Sequence, residues 1–104
     1  LLIIGGGITG ALFADRFARD GLDVVVLDQR DVGWGSTAAS TALLQYEIDT
    51  HAVDLTKRYD EASAVAAYRA CLDAVKAVRR RAAQLRVDQS PAESLYLASN
   101  RRDA

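Results

Sequence analysis

The chain has 104 residues, of which half are hydrophobic, 26% charged and 7% aromatic, and its formal net charge is −1. That profile excludes a disordered or fibrous polypeptide and fits about one domain with a modest core. No apolar run nears the roughly 18 residues of a transmembrane helix, and the start lacks the basic region of a secretory signal, so no membrane span is expected.

Leu1-Leu2-Ile3-Ile4 is a short continuous apolar run, the pattern of a strand buried on both faces of a parallel sheet. With no methionine anywhere in the chain, this opening reads as the start of a fragment. A glycine cluster ends the strand. Over residues 8–20, Ile8, Ala11, Leu12, Ala14 and Ala18 recur at helical spacing beside an i, i+4 pair, Phe13 and Phe17, and Gly21 follows as a C-terminal cap. Asp23-Val24-Val25-Val26-Leu27-Asp28 is a β-branched run between polar ends, as in a central parallel strand. Strand, helix and strand make a βαβ unit, whose right-handed crossover puts the glycine turn at the carboxyl edge of the sheet, where open α/β folds bind ligands.

Residues 29–35 read as loop, after which Ser36 or Thr37 is expected to cap a short alanine-rich helix reaching about Leu43. Residues 45–50 fit neither helix nor strand clearly. The longest helical pattern covers about residues 60–86, with Val65, Tyr68, Leu72, Val75, Val78, Ala82 and Leu85 on one side. Ser90-Pro91 breaks it, and Ser94-Leu95-Tyr96-Leu97-Ala98-Ser99 reads as a last strand close to a second cut end. The lone Cys71, inside the long helix, is expected to be a small buried hydrophobe, which suits a reducing cytoplasm.

Charge divides unevenly. Residues 1–50 hold seven acids and three bases, a net −4, while 51–104 hold seven acids and ten bases, a net +3. The densest basic point is Arg79-Arg80-Arg81, but three consecutive helical residues point in three directions, so a solvated helix face is expected rather than a nucleic-acid stripe.

Gly5-Gly6-Gly7-Ile8-Thr9-Gly10 satisfies G-x-G-x-x-G directly after a strand and at the opening of a helix. Gly5 permits the tight turn, Gly7 admits a pyrophosphate to the backbone, and Gly10 lets helix and strand pack closely. The helix start at Ile8 and Thr9 offers unpaired N–H groups and the positive end of the dipole, an anion site that needs no basic side chain. Asp28 lies eighteen positions after Gly10, at the end of the second strand, where its carboxylate can accept ribose hydroxyls and repel a 2′-phosphate; Arg30 softens that repulsion. The expectation is a Rossmann-like α/β domain with a parallel sheet, its βαβ core in residues 1–50, and a helix and strand in 51–104 leading toward a further domain.

These motifs, with Leu27-Asp28-Gln29-Arg30 and Gly33-Trp34-Gly35-Ser36-Thr37-Ala38-Ala39-Ser40, resemble the FAD-dependent oxidoreductases of the D-amino-acid oxidase superfamily. The likeness is densest over residues 1–50 and looser beyond. It implies FAD as cofactor, with the Gly35-Ser36-Thr37 turn against the pyrophosphate and ribityl chain, and Gln29 and Arg30 next to Asp28. Where that family often has glutamate, Asp28 shortens the reach to the ribose. It also implies that Leu43-Leu44-Gln45-Tyr46 passes near the flavin. Some relatives attach flavin to a histidine, but the surroundings of His51 match no such motif, and it reads as an ordinary loop residue.

The activity so implied is oxidation of an amine, amino acid or hydroxy compound by hydride transfer to flavin. No catalytic acid or base is legible, no metal cluster is apparent, and the partner is a small-molecule substrate. The alternatives are an NAD-dependent dehydrogenase, which shares the glycines and Asp28 but does not call for Gly35-Ser36-Thr37, and a non-catalytic module that docks a partner through its basic helix.

Overall fold

The computed structural model describes residues 1–95 and 97. Its elements are β1 (Leu2–Ile4), α1 (Ile8–Arg19), β2 (Val25–Leu27), α2 (Ala52–Arg58) and α3 (Glu61–Gln84). They fall into two compact units, Leu1–Leu43 and Leu44–Ala104.

The first unit is the expected parallel α/β arrangement. β1 and β2 pair in parallel with Leu2 opposite Val25, Ile3 opposite Val26 and Ile4 opposite Leu27. One further bond lies beyond each end of the ladder, Val25 N–H to the Leu1 carbonyl at 2.9 Å and Gly5 N–H to the Leu27 carbonyl at 2.7 Å. Successive side chains alternate between sheet faces. Ile3 and Val26 are half-buried on the face that meets Gly10 of α1, whereas Ile4 on the opposite face is 84% exposed. The strand expected to be covered on both sides is therefore covered on one among the described residues.

α1 stops where expected. Gly21, at φ +86°, donates to the Ala18 carbonyl and Leu22 to that of Phe17, the paired bonds that close a helix through a left-handed residue. Phe13 and Phe17 stack with ring centroids 5.9 Å apart.

The helix expected from Ser36 to about Leu43 is absent. Residues 32–39 are turn, held by Ala39 N–H to the Gly35 carbonyl and Ser40 N–H to that of Thr37. Those two bonds are not continued, because the Ser40 hydroxyl accepts from the Ala42 amide and Ala42 enters the left-handed region at φ +57°. A serine that bonds its own backbone offers an alternative to the helical ladder.

In the second unit, residues 45–48 are irregular and α2 adds one short helix that periodicity does not reveal. His51 stands at its N-cap position. α3 starts at Asp60, whose carboxylate accepts from the Ser63 amide at 2.8 Å and hydroxyl at 2.7 Å. Its least exposed line runs through Ala64, Tyr68, Cys71, Val75, Val78 and Ala82, so the expected face holds at Tyr68, Val75, Val78 and Ala82, while Val65, Leu72 and Leu85 are exposed. The Tyr68 hydroxyl donates to the Thr50 carbonyl at 3.0 Å. Arg81 bonds Gln84, while Arg79 and Arg80 border one shallow hollow together with Lys76, so of the three arginines expected to diverge only Arg81 is set apart. Ser94, Leu95 and Leu97 form no strand; Tyr96, Ala98 and Ser99, the rest of that expected element, lie outside the described residues.

α3 ends as α1 does, with Val87 donating to the Ala82 carbonyl and Arg86 to that of Ala83, but its left-handed residue is Arg86 at φ +56°. Such a conformation costs a residue with a Cβ about 1–2 kcal/mol, part of which glycine loses again through its freer unfolded chain. Arg86→Gly is therefore expected to raise stability by about 0.5–1 kcal/mol in urea unfolding, and Asp60→Ala at the other end to lower it. A stabilised Asp60→Ala or a destabilised Arg86→Gly would contradict these end structures.

Candidate dinucleotide-binding site

The site is built where the chain leaves β1. Gly5 turns it at φ +106°, a region that side chains rarely enter. Gly6 follows, buried, and its N–H donates to Asp28 Oδ2 at 2.6 Å while its carbonyl accepts from Gly33 N–H at 2.9 Å. Gly7 is the N-cap of α1 and carries no side chain to cap it. Instead the Ile8 amide donates to Thr37 Oγ1 at 2.9 Å, across twenty-nine positions of sequence. The Thr9 and Gly10 amides, in the first helical turn, have no carbonyl one turn earlier. A Cβ on Gly10 would run into the Gly5 carbonyl oxygen and stand 3.1 Å from its carbon, so the helix approaches the turn as closely as only glycine permits.

Asp28 closes the arrangement from β2. Its second oxygen, Oδ1, accepts from the Arg30 amide at 2.9 Å. The Gly6 amide first and the Arg30 amide second hold this carboxyl below the usual value of 3.8; desolvation opposes them, and the Arg30 charge and the Gln29 amide add smaller lowering effects. Each carboxylate oxygen has two lone pairs, so one bond apiece leaves Asp28 able to accept further hydroxyls.

A cleft of about 550 Å³ opens between these segments. Of the expected site residues, Gly5, Gly7, Ile8, Thr9 and Gly10 line it from the glycine turn, and Arg30, Gly35, Ser36 and Thr37 from the loop after β2. Asp28 stands behind Gly6 and Gln29 outside the lining. Three participants are not singled out by sequence reasoning. Gly6 occupies a variable position of the motif, although three glycines in a row are a signal; Trp34 is the single tryptophan, set between Gly33 and Gly35; Phe13 reads as a partner of Phe17. Leu43-Leu44-Gln45-Tyr46 straddles the two units.

The donor set tests what such a cleft could hold. Its lining combines backbone amides at a helix start, the Thr9, Ser36 and Thr37 hydroxyls and the Arg30 guanidinium, with no carboxylate. Those groups suit an anionic diphosphate, and the Asp28 carboxylate, behind Gly6, is of the kind that accepts sugar hydroxyls. Among the described residues no cluster of three histidine, cysteine or acidic side chains could hold a metal, and no helix is long and apolar enough to cross a membrane.

The profile of a family described as FAD dependent oxidoreductase matches residues 1–104, the whole chain. The chain belongs to that family. FAD is accordingly its cofactor, and the residues at the cleft are of the kinds the cofactor's phosphates and ribose require. The chain is 48% identical over 44 residues to an alpha-glycerophosphate oxidase of Streptococcus pyogenes, and 43% over 44 residues to a subunit of the anaerobic glycerol-3-phosphate dehydrogenase of Haemophilus influenzae. Each alignment covers 42% of this chain but only 7% and 8% of those relatives, so the likeness concerns a small part of them. No solved structure matches the chain at the same stringency.

The depressed Asp28 carboxyl has a measurable consequence in this FAD-dependent oxidoreductase. A carboxyl held low in the folded state contributes stability above its unfolded value, 3.8, and that contribution is lost as pH falls through the lower folded value. Asp28→Asn, whose amide nitrogen would face one of two N–H donors, should weaken the turn at neutral pH and flatten the fall of stability below the ordinary carboxylate value. An unchanged acid limb in stability measured against pH would show that Asp28 does not hold the two turns.

Proposed function

We propose that the chain is the FAD-binding portion of an enzyme that oxidises a small molecule at a carbon bearing an amine or a hydroxyl. The observation that carries this reading is the joining of the two turns by Asp28, which sets first-turn amides and the hydroxyls of Ser36 and Thr37 on one cleft, with the carboxylate behind Gly6. In this reading the amides of Gly7, Thr9 and Gly10, with Ile8 acting through the Thr37 hydroxyl that its amide bonds, receive the pyrophosphate and Asp28 the adenosine ribose, with Gln29 flanking it. Arg30, Gly35, Ser36 and Thr37 complete the phosphate and ribityl contacts. Bound FAD supplies a hydride acceptor, while the chain's own residues bind and orient it. The names of the two relatives support a glycerol-phosphate-type hydroxy compound as the first substrate to try.

The substrate pocket and catalytic acid or base come from outside the cofactor cleft, so the 104-residue chain alone is expected to be inactive. The family favours FAD over NAD. We read the setting as a reducing cytoplasm, on the half-buried single Cys71, with no nucleic-acid partner.

The test is spectroscopic. The protein purified intact should carry flavin absorbance or regain it on incubation with FAD, while NADH is not retained; Gly7→Val, which places a branched side chain at the cleft, should lose at least about 100-fold in FAD affinity, on the order of 2.7 kcal/mol. A colourless protein that cannot be reconstituted, or a Gly7→Val variant with full FAD content, would overturn the proposal.

A further inference from the structure

The helix start that faces the cleft is capped by a side chain from another segment. Gly7, the N-cap residue, has none to offer, and Thr37 Oγ1 takes the Ile8 N–H at 2.9 Å instead. Thr37 reaches that point because the loop is folded back: Gly35 stands at φ +82°, and the bonds Ala39 N–H to Gly35 and Ser40 N–H to Thr37 close the turn around it. A threonine hydroxyl has one hydrogen to donate and two lone pairs. With one lone pair on the Ile8 amide, its hydrogen remains for an acceptor in the cleft that Thr37 itself lines.

Gly7 bears on the same atom. A Cβ built there would lie 3.1 Å from Thr37 Oγ1, its single close neighbour, and tighter than ordinary contact. Its absence therefore makes room for the threonine as well as for a ligand.

We infer that Thr37 is a positioning residue of the cofactor site: its hydroxyl locks the 33–40 loop to the start of α1, passes the Ile8 donor outward to a pyrophosphate oxygen, and depends on glycine at position 7. This rests on the assignment of the cleft to FAD. One placement of the Thr37 hydroxyl accounts for the cross-segment bond, the steric demand at Gly7 and the presence of both residues on one cleft.

The test measures FAD dissociation constants of the purified protein by flavin fluorescence, with melting of each apoprotein alongside. Thr37→Val, which keeps the shape and removes the hydroxyl, should weaken FAD about 10-fold, and Thr37→Ser should stay within about 3-fold of the parent. In a double-mutant cycle, Gly7→Ala should cost at least about 3-fold less in a Thr37→Ala background than in the parent, because the atom it displaces is gone. Wild-type affinity in Thr37→Val, a Thr37→Ser variant as weak as Thr37→Val, or strictly additive effects in the cycle would each overturn the role of Thr37. Should Thr37→Val not fold, recovery of affinity in Thr37→Ser relative to Thr37→Ala decides in the same sense. Failure of the parent protein to bind FAD would instead overturn the assignment of the cleft.

Discussion

The bond from the Gly6 amide to the Asp28 carboxylate is the constraint on which the first unit depends. Two parallel strands of three residues deliver their chains to the same edge, but pairing ends at Leu27, and nothing in the ladder itself controls the two turns beyond it. Asp28 continues that control by taking one amide from each turn, Gly6 on one oxygen and Arg30 on the other. Gly33 to Gly6 and Ile8 to Thr37 then extend the join by backbone and by side chain. Segments separated by some thirty residues in sequence become the two sides of one cleft.

The βαβ unit was legible because each of its parts carries a local signature: a β-branched run between polar ends, an apolar repeat of helical period, and glycines where geometry excludes side chains. Gly10 shows how literal that last signature is, since the neighbouring carbonyl stands where a Cβ would be. What escaped was set by contacts between segments. Gly6 fills an unassigned place in the motif, yet its amide makes the central bond, and no pattern in residues 5–10 reports the carboxylate twenty-two positions away. The alanine-rich stretch after Thr37 has helical propensity, but Ala42 within it stands in the left-handed region, as Gly33 and Gly35 do just before it, and Thr37 is engaged across the cleft rather than as a cap of its own helix.

In the second unit the period of α3 was correct, and its expected face was right at Tyr68, Val75, Val78 and Ala82 but not at Val65, Leu72 and Leu85. Val65, Leu72 and Leu85 are larger than Ala64 and Cys71, so ranking positions by apolar size widens the stripe toward exposed residues and passes over the small covered ones. Small residues lie where the helix is most covered because close approach needs little volume there. α2 is too short, at seven residues, for a period to emerge from its sequence. Family membership covers both units, while the match to individual relatives spans only 44 residues.

The cleft's attraction for an anion comes from peptide groups, with Arg30 the single formal charge on its lining and residues 1–50 acidic in total. Partial charges at a helix start act over about one turn, whereas formal charges reach as far as the Debye length, roughly 8–10 Å at physiological salt. A dianionic dinucleotide thus meets weak repulsion at long range and attraction only after contact. Long-range steering contributes little to the encounter, and retention comes from slow departure.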